Sequence, residues 1–195
     1  MELVTEPDLL ISQEARECAE ELQLIFRSVG ASRARMEKRE MRIEANVSVR
    51  KVGEEKFGTK VEIKNMNYFK SVERAIEYEV ARQIEVISRG ESIVQETRGW
   101  DEAKEVTVSQ RKKESAHDYR YFPEPDLPPL SLKSFREEVQ KTMPELPAAK
   151  RKRFAKDYAL DGEAIEVFVR NQQMADFFEK SASKLKSKVM YKLLR

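Results

Sequence analysis

The chain has 195 residues, 37 Lys+Arg against 35 Asp+Glu, a formal net charge of +2 and 40% hydrophobic residues. That length suits one domain with a real core, or one domain plus a small appendage. The charge balance argues against a strongly basic nucleic-acid coat, although a local basic face is compatible with it. Cys18 is the single cysteine and His117 the single histidine. An intrachain disulfide and a Cys/His zinc site are therefore excluded, and any Ser-His-Asp or Cys-His system would have to use His117. No apolar run reaches the roughly 18 residues of a membrane span, and no signal-peptide core opens the chain. A cytoplasmic, reducing location is expected. The chemistry is expected to rest on carboxylates, lysines, arginines and bound metal.

The first residues, MELVTEPD, read as a short strand ending at Pro7. Ser12 is placed to cap a helix running to about Val29, with Ala15, Cys18, Ala19, Leu22, Ile25, Phe26 and Val29 on one stripe and Gly30 as its stop signal. MRIEANVSVR then alternates: Ile43, Ala45, Val47 and Val49 face one way, and Glu44, Asn46, Ser48 and Arg50 the other. TKVEIKN alternates again after the turn GEEKFG, so the two strands are expected to pair as a hairpin. A long helix is expected over about 68–88, with Val72, Ile76, Val80, Ile84 and Ile87 inward and Gly90 ending it. SIVQETRGW and EVTVSQR read as another strand pair. After Pro129 the texture changes to helical patterns at about 134–142, 147–157, 162–170 and 172–182. These signals predict an α+β fold with a boundary near residue 130, a strand-containing domain over 1–130 and a helical one over 131–195.

Three stretches are candidates for chemistry. The polar face of the first hairpin carries Glu44, Asn46, Ser48 and Arg50, with Lys60, Glu62 and Lys64 opposite. It is either a solvated sheet face or the floor of a cradle for a charged ligand. Lys64 beside Asn65 and Asn67 supplies donors suited to a phosphate or carboxylate. In QETRGWDE, Glu96, Arg98, Asp101 and Glu102 are either surface ion pairs or hard-oxygen support for a divalent cation or nucleotide. The third stretch, HDYRYFPEPDLPPL from His117 to Leu130, packs three aromatic rings and four prolines into fourteen residues. Each X-Pro step keeps the preceding residue out of the helical region, so this backbone is expected to be extended and stiff. Alternation puts Tyr119 and Tyr121 on one side and Arg120 and Phe122 on the other. It is either an aromatic plug between the two regions or a rigid wall of a site. The basic end, KSASKLKSKVMYKLLR, is either a solvated lysine-rich face or an RNA contact.

Taken in order, MRIEANVSVR, GTKVEIKNMNYFKSVERAIEYEVARQ, QETRGWDEAKEVT and HDYRYFPEPDLPPL closely resemble the B subunits of bacterial aspartyl/glutamyl-tRNA(Asn/Gln) amidotransferases. ELVTEPD at the start and ADFFE at 175–179 fit the same family. The resemblance implies a ligase that makes carbon–nitrogen bonds with glutamine as amide donor. It converts Glu-tRNA(Gln) to Gln-tRNA(Gln), or Asp-tRNA(Asn) to Asn-tRNA(Asn). The B subunit, with ATP and Mg2+, phosphorylates the side-chain carboxylate of the mischarged tRNA's amino acid. Ammonia from the amidase, which is the A subunit, then displaces the phosphate, and a small C subunit holds the pair together. The implied fold is a cradle similar to the catalytic part of glutamine synthetases, followed by a helical region.

On this resemblance Lys64 and Arg120 are the candidate catalytic residues. Glu44, Asn46, Asn65, Asn67, Tyr119, Tyr121 and Asp126 are candidates for binding substrate or nucleotide, and Glu2 for binding metal. In the family, a Glu-x-His pair and another acidic metal ligand precede the stretch that matches Glu2, and further helices and a tRNA-gripping tail follow. The chain is therefore expected to be a fragment, inactive by itself: either a slice of a working ligase or a non-catalytic scaffold for a partner subunit or tRNA. Local departures accompany the match. MEKREMRIEANVS stands where the family usually reads MEEGSLRCDANVS, Glu44 replaces an aspartate, Tyr68 stands where a serine is common, and Gln110 where a methionine is usual.

Overall fold

A computed structural model describes residues 2–112 and 125–184. The elements run α1 (Ser12–Ser28), a 3-10 turn (Met36–Lys38), β1 (Ile43–Val47), β2 (Val61–Met66), α2 (Phe69–Ser88), β3 (Glu96–Asp101), β4 (Val106–Lys112), α3 (Lys133–Thr142), α4 (Pro147–Tyr158), α5 (Gly162–Arg170) and α6 (Gln172–Lys184). This is the α+β architecture that the patterns predict. α1 and α2 each end just before a glycine. After α1 the Gly30 N–H donates to the Arg27 carbonyl and the Ala31 N–H to that of Phe26, a pairing repeated after α2 by Gly90 on Ile87 and Glu91 on Val86. Both glycines hold positive φ, 70° and 78°, where a Cβ would be strained.

The start of α1 differs from expectation. Ser12 is not its cap. Its hydroxyl donates to Glu77, while the Glu14 carboxylate reaches back to accept from the Leu10 and Ile11 N–H groups. The segment before it, residues 2–8, is exposed and forms no strand. A strand needs a partner for its backbone groups, and among the described residues no strand pairs with this segment.

Two compact units emerge from the contacts. One comprises Met1–Glu20 with Ala34–Pro128, and the other Glu21–Arg33 with Pro129–Arg195. In the first, the strands lie in the order β1-β2-β3-β4. The β1/β2 and β3/β4 pairs are antiparallel, whereas β2 and β3 are parallel, joined through α2. The sheet face toward α2 buries Val47, Ile63, Met66 and Trp100 against Val72 and Ala75. The stripe that α2 buries is shifted from the one its aliphatic residues define. Ser71, Val72, Ala75, Glu79 and Gln83 are buried, while Ile84 is 55% exposed. Polar residues are tolerated inside because each is hydrogen-bonded. Glu79 accepts from Arg82, Gln83 and Thr107. Arg98 lies 3.5 Å from it and also reaches Glu96, the Thr107 hydroxyl and the Thr107 carbonyl.

In the second unit, Leu24 of α1 joins Phe154, Ile165, Phe168, Val169, Ala175 and Phe178 in one apolar cluster. The rings of Phe168 and Phe178 have centroids 4.6 Å apart, and Tyr158 meets Phe178 edge-on at 5.0 Å. Asp161 caps α5 through the Ala164 N–H. α3 buries none of its residues.

Candidate functional site

The opposite face of the sheet carries the polar groups. Alternation places Glu62 and Lys64 away from the buried Val61 and Ile63. Asn46 is the register partner of Glu62, and Gly99 that of Lys64. The Lys64 ammonium lies 3.1 Å from Glu44 and 3.8 Å from Glu62. Glu62 is held in turn by the Thr97 hydroxyl, which donates to it at 2.7 Å. Lys64 is therefore fixed between two carboxylates, one of them anchored from β3.

Beside it the strand is bulged. β1 advances two residues, Ile43 to Ala45, while β2 advances three, Met66 to Ile63. Asn65 takes up the extra residue with φ 66°, a left-handed conformation that asparagine tolerates better than most side chains. Its amide is thereby turned toward Gly99, where the nitrogen lies 3.0 Å from the point a Cβ would occupy. The Gln110 amide of β4 occupies that same space, so any side chain at 99 would collide with it.

The structure thus gathers Glu44, Asn46, Glu62, Lys64 and Asn65 on one face, and adds Thr97, Gly99 and Gln110 to them. Asn67 is exposed on the connection into α2, and Glu2 and Asp126 are exposed at the start and end of the first unit. Tyr119, Arg120 and Tyr121 lie outside the described residues. Thr97, Gly99 and Gln110 are not found by sequence reasoning, because nothing in a single strand tells which strand lies beside it. The signal they carry is a glycine inside an otherwise alternating strand, which marks a close approach.

The QETRGWDE residues are not surface ion pairs as a group. Glu96 and Arg98 belong to the buried network. Burial pushes the Glu96 carboxyl up, but hydrogen bonds from Ser109 and Arg98 outweigh it and hold the group below the usual carboxylate range. Glu102 accepts from Ser71 and from the Trp100 indole. Asp101 accepts from the Ala103 and Lys104 N–H groups and shapes the turn into β4.

Magnesium asks for several hard oxygen ligands, usually with substrate phosphates among them. Among the described residues no group of three His, Cys, Asp or Glu side chains could hold a metal ion. Glu44 and Glu62 are engaged with Lys64. The described residues therefore do not form a magnesium cage. No described helix is long and apolar enough to cross a membrane.

The sheet carries a lysine on its polar face and a helix against the other, and sequence comparison identifies the family that shares this chain's residues. The profile of the GatB/GatE catalytic domain matches residues 1–138, and the chain belongs to this family. Among curated relatives, the B subunit of the aspartyl/glutamyl-tRNA(Asn/Gln) amidotransferase of Carboxydothermus hydrogenoformans is 50% identical over 183 residues, 93% of this chain. The proteins of the same description from Caldanaerobacter subterraneus and Synechococcus elongatus are 48% and 50% identical over 184 and 179 residues, 94% and 91% of this chain. The chain spans 38%, 39% and 36% of the length of these three relatives.

Proposed function

We propose that the chain is part of the carboxylate-activating subunit of a tRNA-dependent amidotransferase. It acts on Glu-tRNA(Gln), Asp-tRNA(Asn) or both, in the cytoplasm, together with an amidase (the A subunit) and a small C subunit. Membership of the GatB/GatE family supports this reading, as do the names of the relatives. The observation that carries it is the Glu44–Lys64–Glu62 group on the open face of the sheet.

A carboxylate is a poor electrophile, so the proposed reaction first transfers the terminal phosphoryl group of ATP to a carboxylate oxygen of the aminoacyl side chain. ADP leaves. Ammonia, released from glutamine by the amidase, attacks the acyl carbon, the C–O bond to phosphate breaks and the carboxamide remains. Both steps gather negative charge at one place, where a fixed ammonium stabilises the transition state more than the ground state. Lys64 suits that task because its position is already set by Glu44 and by the Thr97-anchored Glu62. Magnesium is implied by the family only, and no step of this chain's residues is assigned to it.

The test is ATP-dependent amidation of mischarged tRNA by the protein isolated from its source cells with its partner subunits. Lys64→Gln is expected to lower kcat by about 100-fold, with assembly of the complex and glutamine hydrolysis retained. Unchanged amidation in the variant would remove Lys64 from the site. Failure of the wild-type complex to amidate either tRNA would favour a scaffold that binds its partner or tRNA without catalysis.

A further inference from the structure

Thr97 is the register partner of Glu62 in the parallel β2/β3 pair, and its hydroxyl donates to Glu62 Oε2 at 2.7 Å. The other oxygen, Oε1, faces the Lys64 ammonium at 3.8 Å, longer than a hydrogen bond. We propose that Thr97 is a positioning residue for amidation. By holding one oxygen of Glu62 it keeps the other back from Lys64, so that the lysine's charge acts on the reacting anion rather than on Glu62. The proposal rests on the role given to Lys64 above.

Three observations support it. First, the two carboxylates beside Lys64 are not equivalent. Glu44, with its side chain 46% exposed, lies at 3.1 Å, whereas Glu62, only 17% exposed, lies at 3.8 Å. Water screens the buried charge less, so Glu62 is the carboxylate whose closer approach would oppose the ammonium most. Second, Thr97 is itself buried, and its branched Cβ restricts the directions its hydroxyl can take. Third, both of its chain neighbours are clamped on the other face of β3. Glu96 accepts from Ser109 and Arg98, and Arg98 reaches Glu79 and Thr107. The strand that presents the hydroxyl is thus pinned on either side of it.

The terminal torsion of a glutamate is broad, so the carboxylate plane follows the donors that its oxygens meet. With the Thr97 hydroxyl removed, the Glu62 carboxylate is expected to turn and close on the ammonium to about 2.8 Å, the length of a charge-assisted hydrogen bond. A lysine paired so tightly gives less of its field to the phosphoryl and carboxylate oxygens of the substrate. That field matters most where negative charge gathers, in the transition state, so the loss falls on kcat rather than on KM.

The experiment measures ATP-dependent amidation of mischarged tRNA by the complex isolated from its source cells with its partner subunits. Thr97→Val keeps the branched shape and removes the hydroxyl. It is expected to lower kcat by about tenfold, the worth of one hydrogen bond to a charged group, with KM within about twofold of wild type. Thr97→Ser, which restores the donor, is expected to recover most of the rate, and Thr97→Cys, a weak donor of similar shape, to fall between the two. Thr97 and Lys64 act as one unit, so in the Lys64→Gln background Thr97→Val is expected to cost nothing further. The same tenfold loss in both backgrounds would make Thr97 a structural residue and overturn the proposal. So would a full rate in Thr97→Val, or a serine that rescues nothing. If Thr97→Val does not assemble, Thr97→Cys against Thr97→Ser makes the same comparison. A Lys64→Gln complex that amidates at the wild-type rate would overturn the role of Lys64 and this proposal together, whereas the expected loss there beside an unchanged Thr97→Val would overturn the positioning role alone.

Discussion

Gln83 completes the free edge of β1: its amide donates to the Val47 carbonyl at 3.1 Å and, through its oxygen, accepts from the Val49 N–H at 3.2 Å. A helix side chain thus does for the end of the strand what a neighbouring strand would do, and Asn46 and Glu44 are presented from a strand whose end cannot fray. Gln83→Leu keeps the volume and leaves both backbone groups unpaired. It is expected to cost about 1–3 kcal/mol in urea unfolding and to speed hydrogen exchange at Val49. Unchanged exchange there would show that the amide does not hold the edge.

Glu79 is the hub of the same interface, fully buried and shared by Arg82, Gln83, Arg98 and Thr107. Glu79→Ala takes the acceptor from Arg82, Gln83 and Thr107 and leaves the Arg98 guanidinium, whose side chain is only 13% exposed, with Glu96 as its carboxylate. The expected loss is about 1–3 kcal/mol. In Arg98→Met both Glu79 and Glu96 lose a partner, while Glu79 keeps Arg82, Gln83 and Thr107. The double variant Glu79→Leu/Arg98→Met is expected to lose less than the sum of the two single variants, because the Glu79–Arg98 contact is lost only once. A double-mutant cycle with no coupling would contradict this account.

Glu96 makes the first unit acid-sensitive. Its carboxyl sits below the ordinary value of 4.5 in the folded state, so the unfolded chain takes up its proton first as the pH falls. Its contribution to stability is complete above about pH 4.5 and is lost as the pH drops through the folded value. Wild type is expected to exceed Glu96→Gln in stability at neutral pH, with the gap closing as the pH falls well below 4.5. Denaturant midpoints of the two proteins measured across that range decide it.

The bulge at Asn65 predicts an unusual ranking of substitutions. Asn65→Gly is expected to be nearly neutral for stability, since glycine adopts φ 66° freely. Asn65→Val is expected to lose about 1–2 kcal/mol, because a β-branched residue is strained there. Equal thermal stability of the two variants would mean that the bulge shifts to accommodate the side chain.

In the helical unit Phe154 is fully buried and packs edge-on against Phe168 at 5.7 Å and Tyr158 at 5.2 Å. Phe154→Ala is expected to cost about 3–5 kcal/mol. Circular dichroism during thermal unfolding would show the loss as a lowered transition.

Much of this molecule is legible in its residues, for identifiable reasons. The last four helices fall within a few residues of their predicted spans, because glycine, proline and aspartate punctuate them and each has a 3.6-residue apolar stripe. The β1/β2 pairing follows from two clean alternations. The inward face of α2 is not legible in the same way, because Ile84 looks like core and Glu79 and Gln83 do not. Whether a polar residue can be buried depends on the partners that meet it, and these come from β1, β3 and β4, far away in the chain.

The candidate site divides in the same way. Glu44 and Asn46 share one face of β1 by alternation, as Glu62 and Lys64 share one face of β2, and the sequence determined as much; Asn65, which alternation puts opposite Lys64, comes beside it only through the bulge. That β3 lies parallel beside β2, that Gly99 stands level with Lys64, and that Gln110 crosses over it were decided by the tertiary structure alone. Periodicity tells which residues of one element point together. It carries no information on which element becomes the neighbour, because that choice is made by packing and by the closure of chain segments tens of residues long.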